Sequence, residues 1–470
     1  MDEELLIYGG TLVDPSQGKS GPAALLCRGG KIKSVLRSPS HEDIEALKKN
    51  VSVSIDAKGQ AISPGFIDIH MHEDPYDAEK NILDKSIAKS MALMGVTSML
   101  GGNCGDNLLD PEAYLDIVDS KHTASNIALL AGHTYLRQES GGTDKFSTGG
   151  VDKYSHIDDG MLKTMIHHGE RCLQAGCFGI SFGVKYVPGT EWKEISGLAS
   201  LCRGEGLLVS SHVRDDVDGV YDAAEELARI GRECGVHVQF SHIGSMGGYG
   251  QMPRLLKQIE GYRDEGIDMM CDCYPYDAFS TAIGETTYDE GFLESYRSDY
   301  DHIELCDGPY AGKRCTKEIF DLLRREAPET MTIGYFMRQE DVDLALMKDY
   351  VMPASDGIRN GDQGHPRAAG TFPRFLHQYA VKGRLSLEEA ISRMTYMPAK
   401  RIGLKHKGSL MPGFDADIVI FDPDRIRDRA TYEEPVLAPE GISHVIIGGK
   451  IAAKDGVLIR DDLGRALRYN

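Results

Sequence analysis

Histidine, cysteine and aspartate residues follow several short, mostly apolar segments of the chain, and side chains of these types can bind a divalent metal ion. His70 and His72 follow the segment FIDI and are separated by Met71. Because side chains alternate along a strand, this spacing predicts that both imidazoles point to the same side. Four further segments end in the same way, at Cys104, His212, His242 and Asp356. If these segments are neighbouring strands, their nitrogen, sulfur and oxygen ligands would share one pocket.

The mixture of ligand types indicates which metal the pocket would hold. Zn²⁺ accepts thiolate, imidazole and carboxylate ligands together, whereas Mg²⁺ and Ca²⁺ favour oxygen ligands. A single residue such as Cys104 carries little weight, because an isolated cysteine is more often a buried, inert thiol. The convergence of several strand ends is what favours a metal site, and it predicts zinc.

The middle of the chain alternates short apolar segments with helical stretches. Segments such as GFIDIHMH and LLVSSHV are followed by stretches such as NILDKSIAKSMALMG and YDAAEELARIGREC, and the next apolar segments are VTSMLGG and VHVQFSH. About eight such units predict the α/β class and a (β/α)₈ TIM-like barrel, whose chemistry lies at the carboxyl ends of its strands. His133, Asp272 and Tyr274 also end predicted strands.

Both ends of the chain have a different pattern, with short strands separated by glycine and proline turns. We expect residues 1–64 and 407–470 to pair into one small β-sandwich domain around a barrel of residues 65–406. The rhythm of the barrel is interrupted by a polar stretch at about residues 282–329, which predicts an insertion subdomain.

Charge and composition exclude several classes of partner. The chain has 470 residues and a formal net charge of −20, which repels nucleic acid backbones and anionic membranes. It has no apolar run of about 18 residues, and its start is acidic where a secretory signal would be basic. The ten cysteines show no disulfide framework. We therefore expect a cytoplasmic protein with a small-molecule substrate and no nucleic acid or membrane partner. The sequence leaves both a monomer and a homo-oligomer open.

Longer motifs carry a family resemblance over nearly the whole chain. HMH, GNCG, CYPY, ASDG, HPRAAGTFPR and GSLMPGFDADIVIFDP resemble the amidohydrolase superfamily and, within it, the N-acyl-D-amino-acid deacylases, or D-aminoacylases. The HxH motif and the late aspartate are shared by many amidohydrolases. The cysteine of GNCG and the HPRAAGTFPR segment single out this branch.

The resemblance implies zinc-dependent hydrolysis of the amide bond of N-acyl-D-amino acids to a carboxylate and a free D-amino acid. It implies one tightly bound zinc at Cys104, His212 and His242, and a second, weaker site at His70, His72 and Asp356. Asp356 would be the general base and acid that moves the proton from the attacking water, present as metal-bound hydroxide, to the leaving amine. The α-carboxylate of the substrate would be held by Tyr274, Ser280 and Arg367.

The chemistry of amide hydrolysis agrees with these roles. An amide is a poor electrophile, so its hydrolysis needs an activated water, a polarised carbonyl and a proton donor. Zinc can lower the pKa of a bound water to about 7, far below that of bulk water. Arg367 can bind a carboxylate through two parallel hydrogen bonds, which would orient the α-carbon.

Some residues depart from the family pattern. Family members commonly have a lysine two residues after the second zinc-site histidine, where this chain has Gly244. The insertion contains the acidic segment DEGFLESYRSDYDHIE, which argues against N-acyl-D-glutamate or N-acyl-D-aspartate as substrates, although several arginines lie in or near it.

Two alternatives remain open at this point. One is a cyclic-amide hydrolase of the hydantoinase or dihydroorotase type, which would carry a carboxylated lysine in place of Cys104. The other is a catalytically inactive barrel that serves as a binding subunit, and it would contain no metal.

Overall fold

The computed structural model describes residues 4–18, 20–147, 149–204, 206–359 and 361–469 and has a mixed α/β fold. Its strands in chain order are β1 (Glu4–Leu12), β2 (Gly21–Arg28), β3 (Lys31–Arg37), β4 (Val53–Asp56), β5 (Ala61–Pro64), β6 (Phe66–Asp68), β7 (Tyr76–Asp77), β8 (Ile82–Leu83), β9 (Val96–Gly101), β10 (Asn126–Leu129), β11 (Ala131–Gly132), β12 (Gly179–Gly183), β13 (Leu208–His212), β14 (His237–Phe240), β15 (Met269–Cys273), β16 (Phe279–Ala282), β17 (Ile303–Leu305), β18 (Met331–Gly334), β19 (Val351–Pro353), β20 (Ile418–Phe421), β21 (Ile442–Ile447), β22 (Lys450–Lys454) and β23 (Val457–Leu458). Its α-helices are α1 (His41–Lys48), α2 (Ser86–Leu93), α3 (Pro111–Lys121), α4 (His133–Glu139), α5 (Asp159–Gln174), α6 (Trp192–Ala199), α7 (Val220–Ile230), α8 (Ile243–Gly247), α9 (Met252–Asp264), α10 (Phe292–Tyr296), α11 (Lys317–Glu326), α12 (Gln339–Leu346), α13 (Arg367–Phe375), α14 (Leu387–Met394) and α15 (Tyr396–Arg401).

Two parallel sheets form the middle of the chain. One has the order β10-β9-β6 and the other the order β11-β12-β13-β14-β15-β19. Strands such as β9 and β12 are buried along their whole length, as parallel strands covered on both faces usually are. The helices between them bury one apolar face. In α7, for example, the buried residues include Val220, Ala224 and Leu227, at helical spacing.

Backbone hydrogen bonds connect the two parallel sheets at both edges. On one side the Phe178 amide, just before β12, donates to the Leu129 carbonyl of β10 at 2.8 Å. On the other side, just beyond β6 and β19, the Asp356 amide donates to the His70 carbonyl at 2.8 Å and the His72 amide to the Gly357 carbonyl at 3.0 Å. The carboxyl ends of the parallel strands therefore lie at one end of this core.

Strands from both ends of the chain form a separate nine-stranded sheet. Its order is β23-β22-β21-β20-β5-β1-β2-β3, and β4 pairs with β1. Strand β20 is buried on both faces, and its residues alternate between two cores. Ile418 and Ile420 pack in the small core of this sheet, while Val419 and Phe421 pack against the main core. This alternation fixes the position of the end sheet on the parallel sheets.

The stretch after β15 forms a three-stranded antiparallel sheet with the order β16-β18-β17. Helices α10 and α11 pack beside it through aromatic side chains, including a stacked pair of Phe292 and Phe320 with ring centroids 5.3 Å apart. Strand β16 carries Phe279 and Ser280 into the region beside the strand ends. The predicted insertion at about residues 282–329 falls largely within this unit, and the domain boundaries stay a prediction. No helix within the described residues has both the length and the apolar character needed to cross a lipid bilayer.

The loop that follows the two early histidines is anchored to helix α2 by Asp74. Lys85, at the start of this helix, provides no side-chain cap, and the Asp74 carboxylate accepts the backbone N–H groups of Ile87 at 2.8 Å and Ala88 at 3.0 Å instead. Burial nevertheless raises the pKa of Asp74 to about 7, because desolvation outweighs these hydrogen bonds.

Asp74 gives a testable pH dependence of stability. Its pKa is above the value of 3.8 for an unperturbed aspartate, so the folded state keeps a proton that the unfolded chain releases as the pH rises from about 4 to about 7. The wild type should therefore lose up to about 4 kcal/mol of stability from this group over that range. Asp74→Asn, which still accepts hydrogen bonds, should lack this loss. Urea unfolding of both proteins at pH 4.5 and pH 7.5 measures how the free energy of unfolding changes with pH. An equal change in the wild type and in Asp74→Asn would contradict the prediction.

Candidate metal centre

Cys104 lies in a tight turn directly after β9. The turn requires glycines, since Gly102 has φ +72° and a Cβ there would lie 2.1 Å from the Leu130 carbonyl oxygen. Gly105 also has a positive φ, of 78°. The GGNCG segment can therefore turn sharply enough to direct the Cys104 thiol toward the other strand ends.

The remaining candidate ligands also lie at or just beyond strand ends. His212 is the last residue of β13, His242 follows β14 by two residues and Asp356 follows β19 by three. His70 and His72 lie beyond β6, which ends at Asp68, and not on the strand itself. Their same-side orientation nevertheless agrees with the predicted one, because both reach Asp356.

Three of these residues have a left-handed backbone conformation, which is uncommon for residues other than glycine. Cys104 has φ 56°, His242 has φ 34° and Asp356 has φ 47°. Such conformations cost on the order of 1–3 kcal/mol each and often occur at functional sites. They direct each side chain away from the path that a regular strand would give it.

All six sequence-predicted ligands come together in two groups that share Cys104. In each group the ligand atoms lie within 4.8 Å of one another, and the groups are Cys104, His212 and His242, and His70, His72, Cys104 and Asp356. The Cys104 Sγ is 3.4 Å from Nε2 of both His70 and His242. The Asp356 Oδ1 is 3.2 Å from the His72 Nε2.

The donor set fits zinc. It combines thiolate, imidazole and carboxylate groups, which zinc accepts together. The His242 ring is oriented by the Ser245 hydroxyl, 2.8 Å from its Nδ1, so that Nε2 faces Cys104. Such partners behind a ligand are typical of metal-binding histidines.

The charges around Cys104 favour its thiolate form. Burial alone would raise the pKa of this thiol, but the nearby His70 and His242 imidazoles outweigh burial and hold the pKa well below the usual value. His212, from the predicted tight site, and His72, from the HxH motif, differ in the direction in which their pKa values are shifted. Burial and the His242 charge lower the pKa of His212 to about 4, whereas the hydrogen bond to Asp356 outweighs burial and raises the pKa of His72 to about 9.

Asp356 is held as a carboxylate by its neighbours. Burial would raise its pKa, but the Arg367 guanidinium and the hydrogen bond with His72 bring the pKa well below the usual value. The Arg367 Nη1 lies 2.9 Å from the Asp356 Oδ2.

The three residues predicted to hold a carboxylate lie together beside this centre. The Arg367 guanidinium carbon is 4.6 Å from the centre of the Tyr274 ring, and its Nη2 is 3.4 Å from the Ser280 carbonyl oxygen. The Tyr274 hydroxyl, the Ser280 hydroxyl and the Arg367 Nε are buried without a hydrogen-bond partner. Buried donors without partners are costly, so this cluster is suited to an anionic group.

Sequence reasoning gave no role to Asp272, although it marked this residue as polar at a strand end. The Asp272 Oδ1 accepts the His242 backbone N–H at 2.7 Å and lies 3.2 Å from the His70 Nδ1, so it orients two candidate ligands at once. Its partners are remote in sequence, and only the strand order of the sheet brings them together. His133, by contrast, is buried with its Nε2 2.7 Å from the Glu194 Oε1. Glu194 also forms an ion pair with Arg137.

Comparisons with known proteins identify hydrolases that are similar to this chain. A profile described as "Amidohydrolase family" matches residues 344–453. N-acyl-D-glutamate deacylase from Alcaligenes xylosoxydans xylosoxydans is 30% identical over 478 residues, which is 95% of this chain and 93% of the relative. D-aminoacylase from the same organism is 31% identical over 505 residues, which is 99% of this chain and 97% of the relative.

A solved structure is similar over the whole length. The crystal structure of N-acyl-D-glutamate deacylase from Bordetella bronchiseptica, complexed with zinc and a phosphonate inhibitor, has 28% identity and a TM-score of 0.85, and covers 100% of both chains. The resemblance inferred from the motifs is thereby confirmed. With relatives at least 30% identical over nearly its whole length, the chain belongs to the amidohydrolase superfamily and, within it, to the N-acyl-D-amino-acid deacylase (D-aminoacylase) family.

Proposed function

We propose that the protein is a zinc-dependent hydrolase that cleaves the amide bond of N-acyl-D-amino acids to a carboxylate and a free D-amino acid. One observation carries this proposal: the two ligand groups that share Cys104 lie directly beside the buried, unpartnered donors of Tyr274, Ser280 and Arg367. A metal centre for amide hydrolysis next to a carboxylate-binding cluster fits a substrate with an amide on the carbon that carries its carboxylate.

The ligand groups divide the metal-binding role. Cys104, His212 and His242 would hold the tightly bound zinc, and His70, His72 and Asp356 would form the second, weaker position with Cys104. When bound, zinc would polarise the substrate carbonyl and lower the pKa of the attacking water. The shared cysteine also separates this chain from the cyclic-amide alternative, which expects a carboxylated lysine there.

Asp356 would transfer the proton. Because its low pKa keeps it ionised, it can accept the proton of the attacking water as the new C–O bond forms. It then donates the same proton to the substrate nitrogen as the C–N bond breaks, so that the amine leaves as a neutral group.

Arg367, Tyr274 and Ser280 would position the substrate. Arg367 offers a guanidinium to the α-carboxylate, and the Tyr274 and Ser280 hydroxyls donate to the same oxygens. With the carboxylate and the amide both held, the D and L forms differ only in which side of the α-carbon carries the side chain. Space for the side chain on one side alone would then select the D configuration.

We also propose the finer architecture. The nine parallel strands, of which β10 and β11 are separated by one residue and count as one barrel strand, have hydrogen bonds at both edges. They would close into a (β/α)₈ barrel of residues 65–406, with an insertion at about 282–329 and an end domain of residues 1–64 and 407–470. The ten cysteines are free and buried, which supports a reducing, cytoplasmic location.

The proposal is tested by hydrolysis of paired N-acetyl-D- and N-acetyl-L-amino acids of methionine, leucine and phenylalanine by the zinc-loaded protein. We expect free amine from the D substrates alone, because the carboxylate cluster fixes the α-carbon. The matched control is the same protein after chelation, which should release none. Hydrolysis of the ring of a hydantoin or dihydroorotate, with no free amine from any D substrate, would contradict the proposal. It would support the alternative hypothesis of a cyclic-amide hydrolase.

A further inference from the structure

The cavity beside the candidate metal centre contains a buried carboxylate, Asp216, that none of the roles above uses. We propose that this cavity receives the D side chain of the substrate, that it accepts uncharged, mainly apolar side chains, and that Asp216 determines this specificity by excluding acidic ones. The inference rests on the proposed function and goes further by naming the substrate class.

The cavity extends from the metal centre toward an apolar wall. It is lined by three of the candidate metal ligands, His212, His242 and Asp356. Met246, Phe279 and Tyr296 form its apolar lining. Tyr274 and Ser280, which would hold the α-carboxylate, also line it, so a side chain on the same α-carbon has this space to fill.

The apolar wall is built as a rigid aromatic surface. The Tyr296 ring stacks on Phe336 with centroids 4.8 Å apart and lies 5.8 Å from the Phe279 ring. Met246 adds a flexible apolar side chain, which adapts to ligands of different shape. A linear or branched aliphatic D side chain would bury apolar area against this wall, and such burial stabilises the bound substrate.

Asp216 forms the charged part of the cavity and is 7% exposed. Its Oδ2 accepts the Tyr296 hydroxyl at 2.6 Å, and its Oδ1 lies 3.0 Å from the Lys185 Nζ. Lys185 is also 2.9 Å from Asp215. Two carboxylates therefore surround one ammonium group, and the local charge sum is negative.

The neighbouring cations are already neutralised. Lys145, near the Tyr186 ring, lies 2.7 Å from Glu285 and 3.3 Å from Asp106. Among the described residues that line the cavity there is no lysine or arginine. Arg367 lies behind them, against Asp356 and Tyr274, where it would bind the α-carboxylate.

Gly244 brings no cation to this region, at the position where the resemblance places a lysine. It lies in α8, and a Cβ at this position would be 2.8 Å from the Cys273 Sγ. A larger residue here would therefore need the Cys273 side chain to shift. The lack of a cation at this position and the presence of Asp216 both disfavour an acidic substrate side chain in the cavity.

A carboxylate on the substrate side chain would lie near Asp216, in a cavity whose lining contains no lysine or arginine among the described residues. Repulsion between like charges is strong in such surroundings. We expect kcat/KM for N-acetyl-D-glutamate to be on the order of 100-fold below that for N-acetyl-D-methionine, since charge mismatch discriminates more than a missing methylene.

The test compares kcat/KM for the N-acetyl derivatives of D-methionine, D-leucine, D-glutamate and D-lysine. In the wild type, D-methionine and D-leucine should be preferred over both charged substrates. In Asp216→Asn, the ratio of D-methionine to D-glutamate should fall by about 10-fold. The matched control is Asp218→Asn, which removes the same charge two residues farther along the chain. The Asp218 side chain is 74% exposed. This control should leave the ratio unchanged.

The outcomes separate the inference from the function beneath it. A wild type that prefers D-glutamate or D-lysine overturns the inference and leaves the deacylase function standing. An Asp216→Asn variant with an unchanged ratio overturns the role of Asp216. If no N-acetyl-D-amino acid is hydrolysed, the proposed function fails as well.

Discussion

Asp356→Asn is expected to lower kcat by about 10³- to 10⁴-fold, toward the upper end of what general acid–base catalysis contributes. The amide has the shape of the carboxylate, but it can neither accept the proton of the attacking water nor return it to the leaving amine. It also loses the negative charge that faces Arg367 at 2.9 Å. Steady-state kinetics with an N-acetyl-D-amino acid measures the loss, and metal analysis accompanies it.

The zinc content separates a proton-transfer role from a structural one. The tight site is proposed at Cys104, His212 and His242, so Asp356→Asn should keep at least one zinc per chain. Asp74→Asn is the matched control, because it replaces another buried aspartate, whose carboxylate accepts backbone N–H groups of helix α2, and it should keep its kcat. A kcat for Asp356→Asn within about 10-fold of the wild type would contradict the role of the carboxylate as a base.

Cys104→Ala is expected to abolish both tight zinc binding and activity. Its sulfur belongs to both ligand groups, so one substitution removes a ligand from each. The loss of zinc affinity should exceed the 10- to 100-fold effect that is typical of changes behind the ligands. Equilibrium dialysis against a zinc chelator measures the affinity independently of activity.

Cys271→Ala provides the matched control for this variant. Cys271 is also a fully buried thiol, on strand β15, and burial raises its pKa, as expected for an inert structural cysteine. It should bind zinc as the wild type does. If Cys104→Ala retained zinc with unchanged affinity, the shared position of this cysteine between two metals would be wrong.

The sequence indicates the candidate metal ligands because polar residues follow apolar segments at several strand ends. Strand Val96–Gly101 is buried along its whole length, and Cys104 follows it by three residues. Five such strand ends point to one pocket as soon as the strands are parallel. Tyr274, Ser280 and Arg367 are added by the family resemblance alone. The residues around them in the sequence do not distinguish them from ordinary loop residues.

Contacts between side chains from distant segments of the chain are not predicted by sequence patterns. The contact between Asp356 and Arg367, the double role of Asp272 and the neutralisation of Lys185 depend on side-chain directions at several strand ends. The same limit applies to the end sheet. Alternation predicts its strands, but the order in which β20 joins β5 to β21 follows from packing against two cores at once.

The left-handed backbone at Cys104, His242 and Asp356 has a consequence for protein design. The direction of each of these side chains is set by the main chain that carries it. A designer who copies only the ligand identities onto the strand ends of another scaffold would obtain side chains that diverge. To transplant the centre, the designer must also copy the three turns, together with the glycines that permit the first of them.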